Sequence, residues 1–153
     1  MRFLHGLATI VALALVGSTL AQGSANHHVS VSIPTVLRLR IDNTVASDRA
    51  SVPVSVRVDG ALREIDPAAT RLEVFANTAW QLSVSYTPVG GGSGLVLSWH
   101  TVGSSGVLGS SPAIVAGGRA TGGWRLIDVD YGIVNVSADG TYQGVIAYTL
   151  ARP

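Results

Sequence analysis

The sequence predicts an all-β fold: a single antiparallel β-sandwich, immunoglobulin-like in general architecture, behind a cleaved leader. Three observations carry that expectation. Apolar residues recur at every second position in run after run, the mark of half-buried strands. Clusters of Gly, Asp, Asn and Pro punctuate the runs. No stretch beyond the leader holds a helical apolar period of useful length, so an α/β arrangement is excluded.

The leader comes first in the chain. Met1-Arg2-Phe3-Leu4-His5 forms a short, positively charged start, and Leu7 to Val16 is apolar apart from Thr9. Gly17 to Ala21 then supplies the small residues a signal peptidase accepts, which places cleavage between Ala21 and Gln22. The apolar run is well short of the ~20 residues that cross a bilayer. The expected organisation is therefore a signal peptide at 1–21 and one exported domain at 22–153, with no membrane span in the mature form. With no cysteine, the domain has neither a disulfide nor a lipid-modified N-terminus and depends on burial alone.

Within the domain the expected strands follow in order. Val29, Val31 and Ile33 alternate with serines, and Leu37, Leu39 and Ile41 alternate with Arg38 and Arg40. Val52, Val54, Val56 and Val58 alternate with Pro53, Ser55 and Arg57, where Pro53 predicts an edge or a strand start. Leu72 and Val74 form a short strand; Trp80, Leu82, Val84 and Tyr86 form a longer one. Leu95, Leu97 and Trp99 share a face, as do Tyr142, Ile146, Tyr148 and Leu150. The run from Trp124 to Val136 predicts one or two strands around Gly132. Asp66 to Thr70 has the composition of a single helical turn, Gly90 to Gly94 that of a hairpin tip, and Thr101 to Gly123 that of a long, slack connection.

The charge balance removes whole classes of partner. All ten basic side chains are arginine, and loss of Arg2 with the leader leaves nine against nine acidic residues. A neutral domain with scattered single arginines offers no attraction to nucleic acid or anionic lipid.

Candidate catalytic groups are few. The histidines beyond the leader are His27, His28 and His100, and no GxSxG elbow positions a nucleophile, so no catalytic residue is assigned and the domain is expected not to be an enzyme. His27-His28 lacks the spacing of a metal-ligand pair, and Asp128 with Asp130 lacks the glycine and later glutamate of a calcium loop. The glycine cluster has no lysine for a phosphate loop. No metal and no cofactor is expected. Among the aromatics, Trp80, Trp99 and Tyr148 share faces with aliphatic neighbours and are expected in the core, whereas Trp124, after Gly122-Gly123, is the candidate exposed aromatic.

Two segments together resemble the WxL family of bacterial cell-surface domains. The first is Asn77-Thr78-Ala79-Trp80-Gln81-Leu82-Ser83-Val84-Ser85, similar to the family's internal Trp-x-Leu motif running into a strand. The second, Tyr142 to Pro153, resembles the C-terminal motif, with Tyr148-x-Leu150 in place of the second Trp-x-Leu. The resemblance implies a secreted sandwich held non-covalently at the cell wall through peptidoglycan, with Trp80, Leu82, Tyr148 and Leu150 as motif positions. The expected location is the cell surface or envelope, and the expected partners are a cell-wall polymer or other envelope proteins. The lack of lysine departs from the low-GC proteins typical of the family and fits a GC-rich coding bias. A second reading is a structural subunit of a pilus or surface layer, assembled by exchange of the alternating segment His28 to Ile33.

Overall fold

The computed structural model describes residues 30–90 and 94–153. The leader, His27, His28, Val29 and Gly91 to Ser93 lie outside them. Eleven strands follow one another: β1 (Leu37–Ile41), β2 (Thr44–Ala46), β3 (Arg49–Asp59), β4 (Leu62–Asp66), β5 (Ala69–Ala76), β6 (Trp80–Val89), β7 (Leu95–Thr101), β8 (Ser104–Leu108), β9 (Ala113–Gly118), β10 (Arg125–Val136) and β11 (Gly140–Ala151). Among the described residues there is no helix.

The strands form two sheets, six-stranded β2-β1-β5-β10-β7-β8 and five-stranded β4-β3-β11-β6-β9, with every pairing antiparallel. The architecture is a β-sandwich. Its inner strands, β3-β11-β6-β9 against β5-β10-β7-β8, follow the double Greek-key order of a jelly roll, one of the ways all-β chains connect two sheets. Strand β4 widens one sheet and the β1–β2 hairpin widens the other.

The alternation in the sequence decides which side chains meet between the sheets. Val54, Val56 and Val58 from β3, Leu82 and Val84 from β6, and Ile146, Tyr148 and Leu150 from β11 pack against Leu72, Val74, Leu97, Trp99 and Val129. Burial of this apolar surface is the main stabilising term in a chain without disulfides. Two glycines make room for rings in this layer. A Cβ on Gly144 would stand 2.7 Å from Tyr86 Cζ, and one on Gly106 would stand 2.9 Å from Trp99 Nε1. Gly106 lies directly opposite Trp99 on the neighbouring strand.

Several local expectations change. Asp66 to Thr70 forms no helical turn: Asp66 closes β4, Ala69 opens β5, and the Asp66–Pro67 peptide bond between them is cis. The Thr101 to Gly123 segment is not slack. It contains β8 and β9, the outermost strands on one side of the sandwich. β6 and β7, which flank Gly90 to Gly94, lie in different sheets and so form no hairpin with each other; Gly91 to Ser93 themselves lie outside the described residues. Residues 30–36 form no strand, and Val31 and Ile33 are each 76% exposed. Around Gly132 the first of the two expected arrangements holds: β10 is one strand, with a register shift between Ile133 and Asn135. Pro53 sits in β3 beyond the reach of β4, whose pairing begins at Ser55, so no neighbour needs the missing N–H.

The β1–β2 connection positions part of the candidate site. Asp42 and Asn43 have φ of 46° and 65°, and Ile41 pairs directly with Thr44. These are the two left-handed residues of a type I′ hairpin turn, which Asp and Asn tolerate better than other side chains.

Candidate functional site on the outer face of the six-stranded sheet

The four motif residues are buried. Trp80 is 1% exposed, Leu82 and Tyr148 are wholly buried, and Leu150 is 1% exposed. Alternation along β6 and β11 turns all four toward the opposite sheet, and Leu82 pairs with Leu150 across the two strands. Trp80 Nε1 donates a hydrogen bond of 2.8 Å to the Arg119 carbonyl oxygen, fixing the ring beneath the β9–β10 connection. The Arg125 guanidinium lies 5.7 Å from the same ring's centroid. All four motif residues belong to the core packed between the two sheets. Their chemistry is packing.

Trp124 is different. It precedes β10 and is 38% exposed. Its ring stands 5.8 Å from that of Phe75, tilted by 52°, and the Arg40 guanidinium carbon lies 4.1 Å from its centroid. Such a cation over an indole face holds the ring in place as well as attracting it. Arg40 is itself tied to Glu73 by a 3.0 Å ion pair across β1 and β5, with both side chains less than one-third exposed. The strand register explains the grouping. Arg38 pairs with Phe75 and Arg40 with Glu73, while Leu126 meets Glu73 from the other side. Every second residue of β1, β5 and β10 therefore points outward, bringing Arg40, Glu73, Phe75, Trp124 and Leu126 together.

The same face continues past the aromatic pair. A polar depression of about 280 Å³ lies between the β1–β2 turn and β5, lined by Asp42, Asn43, Arg71 and Glu73. Glu73 belongs to both features. Farther along, Arg71 pairs with Asp128 and Asp130 with His100.

His100 and Asp130 bear on catalysis. His100 Nδ1 is 3.9 Å from Asp130 Oδ2, and Ser105 is the cross-strand partner of His100 on β8. The fold thus lines up Asp, His and Ser along one row, a grouping the sequence reading did not assemble. The spacing exceeds a hydrogen bond, and the His and Asp side chains are 67% and 63% exposed. On open sheet surface the row lacks the water-excluded setting in which a nucleophile is activated and an oxyanion stabilised. Among the described residues, no group of three or more His, Cys, Asp or Glu is placed to hold a metal ion.

Two tyrosines have perturbed hydroxyls. Burial pushes the Tyr131 phenol well above the usual tyrosine range; the nearby Asp130 charge adds to this and the 2.8 Å hydrogen bond to Thr70 Oγ1 opposes it. Tyr86 is raised by burial alone. Both belong to the core and neither faces the candidate site.

The five-stranded sheet presents a contrasting outer face. Its rows Ser51–Ala147–Ser85 and Pro53–Val145–Thr87 carry no charge. A depression of about 400 Å³ opens there beside Pro53, Val89, Gln143 and Val145. No aromatic ring lines it and Asp66 is its one ionisable group, so volume alone does not mark it as the site.

No protein-family model matches the chain, and no curated protein and no solved structure matches it.

Proposed function

We propose that the chain is a non-catalytic, exported cell-envelope module that binds the glycan of the cell wall non-covalently through the outer face of its six-stranded sheet. The observation that carries this reading is Trp124, a partly exposed indole in contact with Phe75 and Arg40. A sugar offers apolar C–H faces to an aromatic ring and hydroxyls to charged neighbours. Indole beside Arg40, Glu73 and Arg38 supplies both kinds of contact. An aromatic with arginines also suits the bases of single-stranded nucleic acid. Here, however, Arg38, Arg40 and Arg71 share the face with Glu73, Asp128 and Asp130, which leaves no net attraction for a phosphate backbone. In this reading the WxL-like residues Trp80, Leu82, Tyr148 and Leu150 build the sandwich that carries the binding face.

Co-sedimentation with purified peptidoglycan sacculi tests the proposal. The mature protein is expected to pellet saturably and Trp124→Ala to stay in the supernatant with its circular dichroism unchanged. Wild-type protein left in the supernatant refutes wall binding. Equal binding by Trp124→Ala refutes the site.

A second reading rests on a separate observation. Val31 and Ile33 alternate with serines and are both largely exposed, outside any strand. Such a segment suits addition to the sheet edge of another copy, giving a pilus-like or surface-layer-like polymer. Truncation to begin at Pro34 is expected to abolish polymers while leaving a folded monomer. An unfolded truncated monomer contradicts strand exchange.

A further inference from the structure

We infer that the site takes an extended oligosaccharide laid along β1 and β5, with one sugar stacked on Trp124 and a later sugar held in the polar depression at the β1–β2 turn. This rests on the glycan-binding reading above and adds the ligand's length, orientation and second subsite.

The geometry is set by strand periodicity. Phe75, Glu73 and Arg71 are alternate outward residues of β5, and a strand rises about 3.4 Å per residue, so Phe75 and Arg71 are about 14 Å apart. That span exceeds one sugar ring. At its Phe75 end lies the Trp124 indole with the Arg40 guanidinium against it. At its Arg71 end lies the depression of about 280 Å³ walled by Asp42, Asn43, Arg71 and Glu73. Between them, the Arg40–Glu73 ion pair crosses the path, and Glu73 contributes to the depression as well.

The two ends differ in chemistry. The Trp124 end offers the part of the indole surface that Arg40 and Phe75 leave exposed. The turn end offers acceptors on Asp42 and Glu73, donors on Arg71, and both on the Asn43 amide, a set that matches the paired donor and acceptor capacity of vicinal hydroxyls or an acetamido group. Opposite charges stand together there, so the ligand class is a neutral, hydroxyl-rich chain. The left-handed conformations of Asp42 and Asn43 hold this end in a fixed relation to β5.

The test is a titration of the folded mature protein with N-acetylglucosamine oligomers, from the disaccharide to the hexasaccharide. Affinity is expected to rise roughly tenfold from the shortest to the longest, the equivalent of one or two net hydrogen bonds gained at the turn. Asn43→Gly, which retains the left-handed backbone while removing the amide, and Arg71→Ala should each bring the longest oligomer down toward the disaccharide. Neither should change disaccharide binding. Trp124→Ala should remove binding of every length. If wild-type affinity is independent of length, or the turn variants change nothing while Trp124→Ala loses binding, the second subsite is wrong and the glycan reading stands. If no oligomer binds and sacculi are not bound either, both fall. Sacculus binding without oligomer binding overturns the extended-chain inference alone.

Discussion

Replacing Tyr148 by phenylalanine removes one oxygen from the centre of the sandwich. Tyr148 lies on β11 between Ala50 of β3 and Val84 of β6 and is wholly buried. Its hydroxyl is buried without a hydrogen-bond partner among the described residues. A hydroxyl in that position loses its water contacts on folding and regains nothing, which costs about 1–3 kcal/mol. Phenylalanine keeps the ring and removes that cost, leaving a void smaller than a methyl group, worth less than ~1 kcal/mol. The balance is a gain of about 1 kcal/mol, or roughly 4 °C in melting temperature for a domain of this size. Urea unfolding followed by tryptophan emission measures it, with an unchanged m-value confirming that the same surface is exposed. A loss of 1 kcal/mol or more would refute the reasoning, since it would require a satisfied hydroxyl at this position.

Two further outcomes follow from the same layer. Gly144→Ala places a methyl group into the Tyr86 ring, which the surrounding sheet leaves little freedom to move, so a loss of about 1–3 kcal/mol is expected in the same unfolding assay. For Tyr131 the folded-state pKa lies above the unfolded value of about 10. A raised pKa means its contribution is complete below that value and is lost as the pH climbs above it toward the folded pKa. Melting temperature is therefore expected to fall above about pH 10, and Tyr131→Phe to reduce that slope even though it also removes the hydrogen bond to Thr70.

How far the sequence revealed the fold depends on whether each strand keeps its alternation. In β3, β6 and β11 every second residue is large and apolar for most of the strand, so their inward faces are readable without a structure. In β9 the pattern breaks. A register shift leaves Val115 between the paired residues Ala116 and Ile114, turning Val115 into the core and leaving Ile114 58% exposed. In β8 the inward position opposite Trp99 is Gly106, whose lack of a side chain is what the ring requires. Small residues selected by a neighbour's bulk look the same, in one dimension, as a loop. Asp66 to Thr70 misled for a related reason: its Pro and Ala suggest a helical start, but the segment serves two strands in different sheets.

The candidate site was legible only in its most conspicuous member. Trp124 was marked by the glycines before it, but Phe75, Arg40 and Glu73 were not associated with it. Their outward parity is visible in the sequence; the order β1-β5-β10 that makes them neighbours is a long-range pairing that local pattern does not encode. The motif residues illustrate the opposite case. Trp80, Leu82, Tyr148 and Leu150 stood out as a recurring pattern, and their burial explains that pattern through packing. Asp130, His100 and Ser105 likewise came together only through the pairing of β10, β7 and β8.

The most direct test of the binding face uses the unequal exposure of the three tryptophans. Trp80 and Trp99 are 1% and 4% exposed against 38% for Trp124, so acrylamide should quench chiefly Trp124. N-acetylglucosamine hexasaccharide, added to saturation, is expected to abolish the quenchable fraction. Trp124→Phe should lack that fraction from the start. Quenching that remains unchanged while the protein is bound to the glycan would place the contact elsewhere and contradict the account.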